Sequence, residues 1–204
     1  PDRPAWDTSL LSLLGIPEQA MPTIVDSTGQ VDEASALAGS PPITGIIGDQ
    51  QSSLVGQGCV RPGLAKITFG TGGMLDVCTD SGQPAEANRN VNGTFPLPVW
   101  SIDGEIGWGV EGIMLSAGTN VEWLRDDLGL IDTPAESHDI AAQCDDSGGV
   151  VYVPALLGLG TPSWDYGARG TLLGLTRGTE RTHVVRAVLE GVAHRGADLV
   201  EAAA

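Results

Sequence analysis

The chain predicts an α/β fold. Short apolar runs of strand length alternate with stretches of helical period, and glycine- or proline-rich turns separate them. Trp6, Leu10, Leu11, Leu13 and Leu14 mark a helix over 5–14, with Gly15 as its stop. Residues 31–38 predict a short helix ending at Gly39. Pro41-Pro42 breaks the chain, and Ile43 to Ile47 reads as a buried strand. A helix over Gln50 to Gln57 starts just after Asp49, and Arg61-Pro62-Gly63 is a turn. Leu64 to Phe69 and Met74 to Cys78 are two strands around a Gly70–Gly73 bend. Residues 80–94 are polar and read as a loop. Val99 to Ile102 and Glu105 to Val110 flank Asp103-Gly104, a two-residue hairpin signal. Ile113, Ala117, Val121, Leu124 and Leu128 are spaced 4, 4, 3 and 4 apart, as on one helix face. Val150 to Val153 and Thr171 to Leu175 are strands on either side of a long irregular loop over Gly158–Gly170. Thr182 reads as the N-cap of a last helix marked by Val184, Val188, Val192 and Leu199.

Charge and cysteine content narrow the function. Among 204 residues the net charge is -16, and Lys66 is the only lysine. Nucleic-acid binding needs clustered cations, so it is disfavoured. Cys59, Cys78 and Cys144 are odd in number, widely spaced and form no C-x-x-C. Neither a zinc site nor a disulfide framework is expected, and a reducing, cytoplasmic setting fits. No apolar stretch reaches ~18 residues, so no membrane span is expected. The 29 glycines are about twice the usual share and follow no period, which points to tight turns and close backbone approaches.

Several motifs drop out. Gly58 to Gly63 has the spacing of a P-loop opening, but Leu64 stands where that motif needs lysine. No G-x-S-x-G is present. His138, His183 and His194 are scattered; the last two read as helix-surface or packing residues. Two features remain. Asp49 follows an apolar run and precedes a helix, where a carboxylate can accept a proton from an attacking hydroxyl. It could equally cap that helix. The Gly70-Thr71-Gly72-Gly73 bend can aim N–H groups at phosphate oxygens, or can simply be a hairpin turn. Together the two suit phosphoryl transfer. Gly118 falls within the predicted helix from Ile113. A glycine there suggests close approach by another backbone or by a ligand.

Read in order, these stretches resemble the FGGY carbohydrate kinases, and the glycerol kinases among them, over essentially the whole chain. The resemblance is carried by Gly48-Asp49-Gln50-Gln51, by GLAKITFGTGG over 63–73, by GIMLSAGTNVEWLRD over 112–126 and by VPALLGLGTPSWD over 153–165. It is completed by Gly170-x-Leu172-x-Gly174-Leu175, then seven residues, then His183-Val184-x-x-Ala187-Val188-Leu189-Glu190. The resemblance implies an actin-like ATPase fold built from two ribonuclease-H-like domains. Residues 1–62 would close the first, substrate domain, and 63–204 would open the second, nucleotide domain. It implies ATP and Mg²⁺, with a small polyol as substrate and possible homo-oligomers. Asp49 would be the base, Gln50 would bind the polyol, Thr71 and Gly72 would contact ATP phosphates, and Gly118 would contact the nucleotide.

Two positions depart from the family pattern. Met74 stands where glycerol kinases place an aromatic against the substrate's carbon frame, and Glu122 stands where a glutamine contacts the nucleotide. The family's amino-terminal phosphate loop, its arginine-glutamate substrate pair and its later adenosine-binding glycines are not in this sequence. The expectation is therefore a central segment of a kinase at least twice this length, inactive in isolation. The alternatives are an FGGY kinase for another polyol or a ketose such as xylulose, and a non-catalytic fragment that only binds or dimerises.

Overall fold

Helix α1 (Thr8–Leu14) opens the computed structural model, which describes residues 4–79, 82 and 88–204. Its start is set by Asp7, whose side chain accepts from the N–H groups of Ser9 and Leu10. Gly15 closes it in the left-handed region at φ 67°. The short helix expected over 31–38 is instead a hairpin. Strand β1 (Thr28–Glu33) pairs antiparallel with β2 (Pro42–Gly45), Asp32 opposite Ile43 and Glu33 opposite Pro42. Gly39 at φ 81° and Ser40 at φ 41° turn the chain back, so the backbone of 31–33 finds cross-strand partners rather than helical ones. The strand expected over Ile43–Ile47 stops at Gly45, and all four of its residues are exposed rather than buried. Helix α2 (Asp49–Gly56) follows.

The central sheet holds β3 (Ala65–Phe69), β4 (Gly73–Cys78), β5 (Phe95–Ile102) and β6 (Glu105–Met114), in the order β3-β4-β6-β5 and antiparallel throughout. Asp103 and Gly104, at φ 54° and 81°, make the predicted hairpin turn. Residues 82 and 88–94 of the predicted loop carry no strand or helix; 80, 81 and 83–87 lie outside the described residues. The helix read from Ile113 onward begins five residues later, as α3 (Gly118–Asp126). Ile113 pairs with Met74 across β4 and β6, so the apolar step from 113 to 117 crosses a strand end, not a helical turn. Helix α4 (Glu136–Ala141) had no clear periodic signal. Strands β7 (Val151–Val153) and β8 (Thr171–Leu173) pair antiparallel. The last helix, α5 (Arg181–Ala203), is capped by Glu180, not Thr182. A capping box decides this: the Glu180 side chain takes the His183 backbone N–H, and the Glu180 N–H donates to His183 Nδ1 at 3.0 Å.

The sheet is covered on both faces. On one, Leu75, Val77 and Met114 pack with Val192, Leu199 and Ala203 of α5. On the other, Cys78, Leu97 and Val99 pack with Leu54 of α2 and Cys59. A third cluster joins α3, α4, α5 and β7 through Leu124, Ile140, Val185, Val188 and Tyr152. Alternation along β4 and β6 puts Asp76 and Glu111 on the α2 face, in register with each other and with Lys66 of β3. The only lysine of the chain is thus buried, its Nζ 2.5 Å from Asp76 Oδ2 and 3.0 Å from Thr68 Oγ1. Burial, and then the neighbouring Asp76 charge, push the Glu111 carboxyl above its ordinary value, while Lys66 pulls it back.

Two outcomes follow from this row of charges. Lys66→Met leaves Asp76 buried without a counter-charge and should cost about 3–5 kcal/mol in urea unfolding. Lys66→Met with Asp76→Leu should recover most of it, and a single variant as stable as wild type would overturn the account. The raised Glu111 carboxyl favours the folded state while protonated. That contribution is complete below the ordinary glutamate value and is lost as pH rises through the raised one. Glu111→Gln should flatten this part of the stability–pH curve.

Candidate phosphate-binding turn and its surroundings

The strands β3 and β4 leave four residues between and at their ends to reverse direction, and three are glycine. Backbone packing requires Gly72, whereas at Gly73 the close neighbour is the mobile end of a side chain. A Cβ on Gly72 would lie 2.7 Å from the Met114 carbonyl oxygen, and one on Gly73 would meet the Met114 side chain at 2.6 Å. The turn closes on itself through Gly70 N–H to Gly72 O, at 2.9 Å.

The N-terminus of α3 meets this turn from behind. Gly118 N–H donates to Gly70 O at 2.7 Å, and Ala117 N–H donates to Thr71 O at 2.9 Å. Thr119 adds its N–H and its hydroxyl to the same Thr71 carbonyl, at 3.4 and 3.3 Å. A trans peptide is planar, with its C=O and N–H pointing in opposite directions. Drawing the Gly70 and Thr71 carbonyls into α3 therefore turns the N–H groups of Thr71 and Gly72 outward. Among the described residues nothing accepts from either. Thr71 is exposed, so two adjacent N–H dipoles and a hydroxyl face solvent, an arrangement suited to an anion. The helix N-terminus does not itself present N–H groups to a ligand here; its donors are used on the turn.

Gly118 heads α3 rather than sitting mid-helix, and the approach expected there comes from backbone: a Cβ would lie 2.6 Å from Gly70 O. Glu122 is one turn further along α3 and exposed. Thr71, Gly72 and Gly118 thus meet at one end of the sheet, with Glu122 on the next turn of α3. Asp49 and Gln50 stand apart in sequence, on α2, and no hydrogen bond joins them to the turn among the described residues. The capping alternative for Asp49 holds only in part: Gly48 is the N-cap, but Asp49, the first helical residue, takes one free N–H of that turn. Its exposed carboxylate accepts only the neighbouring Gln50 N–H, at 2.8 Å, among the described residues. Met74, half-buried on β4, faces the side of the sheet on which α2 packs.

With this geometry in view, residues 65–204 match the family described as the FGGY family of carbohydrate kinases, C-terminal domain. The chain belongs to that family. It is 46% identical over 201 residues to a glycerol kinase of Gloeobacter violaceus, covering 98% of this chain and 40% of that protein. A glycerol kinase of Alkalilimnicola ehrlichii is also 46% identical over 200 residues, covering 97% and 39%. The structure of Plasmodium falciparum glycerol kinase with ADP superposes with a TM-score of 0.82 at 33% identity, over 97% of this chain and 40% of that one. A xylulose kinase from Rhodospirillum rubrum gives 0.70 at 25% identity, over 96% and 40%. The chain therefore spans about two fifths of the length of these FGGY relatives and forms part of an actin-like ATPase fold.

Sequence reasoning missed the residues behind the turn. Ser116, Thr119 and Asn120 form a hydrogen-bonded group under the α3 N-terminus. The signal available was three short polar side chains around Gly118, a pattern of capping rather than of a buried face. Gly118→Ala tests how tightly this group holds the turn. Alanine ordinarily favours a helix over glycine by about 1 kcal/mol. Here its methyl displaces a backbone carbonyl, so the net effect should be a loss of about 1–3 kcal/mol. Amide shifts should change at residues 70–73. A stabilised variant with unchanged shifts would contradict the contact.

Proposed function

We propose that this chain is the central segment of an ATP-dependent glycerol or polyol kinase that transfers the ATP γ-phosphoryl group to a substrate hydroxyl. The outward N–H groups of Thr71 and Gly72, in a chain of the carbohydrate kinase family, carry the reading. Glycerol, giving glycerol 3-phosphate, is favoured over a ketose because relatives at 46% identity are glycerol kinases. In this reading residues 1–62 belong to the substrate domain and 63–204 to the nucleotide domain. The three cysteines are free thiols, in keeping with a cytoplasmic enzyme; no described helix is long and apolar enough to cross a membrane.

Each residue then has a part. Thr71 and Gly72 hold phosphate oxygens through backbone N–H groups that are already oriented, so little reorganisation accompanies charge build-up. Gly118 gives its N–H to the turn, and the space its side chain would fill is taken by the Gly70 carbonyl, so it would meet a nucleotide through backbone alone. Glu122, one turn on, borders the same end. Asp49 receives the proton of the attacking hydroxyl, and Gln50 beside it binds the polyol. Met74 faces the substrate's carbon frame with a flexible thioether, a looser contact than a ring makes, and polyols of other lengths are tolerated. Positioning and electrostatics do most of the work in such a transfer. Mg²⁺ would neutralise phosphate charge. Such an ion is commonly held by one or two carboxylates together with the substrate phosphates and water.

Asp49→Asn in the whole protein provides the test. It removes the proton acceptor with little change in shape. Turnover should fall by about 10²–10⁴, the usual span for acid–base catalysis, with ATP affinity kept. Near-normal turnover would refute the role of Asp49, and absence of phosphorylation of any polyol by the unmodified protein would refute the reading itself.

A further inference from the structure

Behind the α3 N-terminus lies a buried polar group that none of the roles above uses. Asn120 is fully buried. Its side-chain nitrogen lies 3.0 Å from Ser116 O, 3.0 Å from Ser116 Oγ and 2.9 Å from Ala117 O. Two of these are carbonyl oxygens, which can only accept, so the NH₂ group must face them and Oδ1 must point the other way. There it meets the Tyr152 hydroxyl at 2.8 Å. With the amide oriented in this sense, the tyrosine is the donor. Burial pushes the Tyr152 hydroxyl up to about 12, so it stays a neutral O–H donor at working pH. Its ring is held in turn, stacked on Trp123 at 5.8 Å between centroids.

The chain of contacts is continuous. Tyr152 orients Asn120, and Asn120 grips the carbonyls of Ser116 and Ala117. Those residues precede the two N–H groups, Ala117 and Gly118, that draw in the carbonyls of Thr71 and Gly70. The planes of the two turn peptides are set by that draw. We propose that Asn120, locked by Tyr152, is a positioning residue for phosphoryl transfer, which keeps the Thr71 and Gly72 N–H groups aimed at the nucleotide's phosphates. Both side chains are buried, so each would act through the turn. The proposal rests on the reading of the turn as the phosphate holder.

Tyr152→Phe keeps the ring and its stacking and removes only the donor. Asn120→Ala removes the whole grip. In the whole protein, Tyr152→Phe should raise the KM for ATP about 3–10-fold, the effect of one buried neutral hydrogen bond. The KM for the polyol should stay within about twofold by the same reasoning. Asn120→Ala should do at least as much, and the double variant should be no worse than Asn120→Ala alone, since the two act as one unit. Amide shifts of Thr71 and Gly72, recorded with and without a non-hydrolysable ATP analogue, separate the two layers. If those amides ignore the analogue in unmodified protein, the phosphate reading has failed and this proposal falls with it. If they respond, but Tyr152→Phe leaves both the shifts and the KM for ATP unchanged, the positioning role alone is overturned. A variant that only melts earlier, with its KM for ATP intact, also overturns it.

Discussion

The carbonyl groups of Gly70 and Thr71 are held by the first N–H groups of α3, and the candidate site depends on that capture. A helix N-terminus carries unsatisfied donors and a partial positive charge, and it commonly spends them on an anion. Here they are spent on two carbonyls of the same chain. The consequence is indirect. Because each peptide is a rigid plane, satisfying its carbonyl from behind fixes its N–H in front. The positive end of α3 is in effect relayed through two peptide units to the solvent side of the turn.

That relay explains why the surrounding residues are small. Gly118 admits the Gly70 carbonyl and Gly72 admits that of Met114, each at a distance where a methyl group would collide with backbone. These glycines serve backbone packing first, and the open face of the turn follows from it. Gly72 in particular is a poor place to probe phosphate contact by adding bulk, because the first atom to suffer would be Met114 O rather than a ligand.

The two faces of the central sheet divide the remaining labour. Helix α5 seals one with aliphatic side chains, which anchors β4 and β6 and so the ends from which the turn and α3 spring. The other face carries α2 on a smaller cluster, and next to it the buried Lys66–Asp76 pair with Glu111 alongside. A strand slipped by one residue would carry the aliphatic side chains and the buried charges each to the opposite face, so both faces fix the register together. Asp49 rides on α2, so its orientation to the sheet is referred to this face.

Much of this was legible in the linear chain. The fold class, the paired strands about Gly70–Gly73, the Asp103-Gly104 hairpin, the β7 and β8 strands and the last helix follow from local periodicity and turn chemistry, which act between neighbours in sequence. The family was legible too, through Gly48-Asp49-Gln50-Gln51 and the stretch over Gly170–Glu190. Other features were decided only by distant contacts. Asp32 and Glu33 have strand partners eleven and nine positions away, and Ile113 belongs to β6 because Met74 lies opposite it. Glu180 displaces Thr182 as the cap of α5 because the His183 ring returns its hydrogen bond. The orientation of Thr71 and Gly72, and the buried Asn120 and Tyr152 behind them, could not be read from composition or spacing. They join residues some 30 to 50 positions apart, and only close packing says which way a peptide plane or an amide must face.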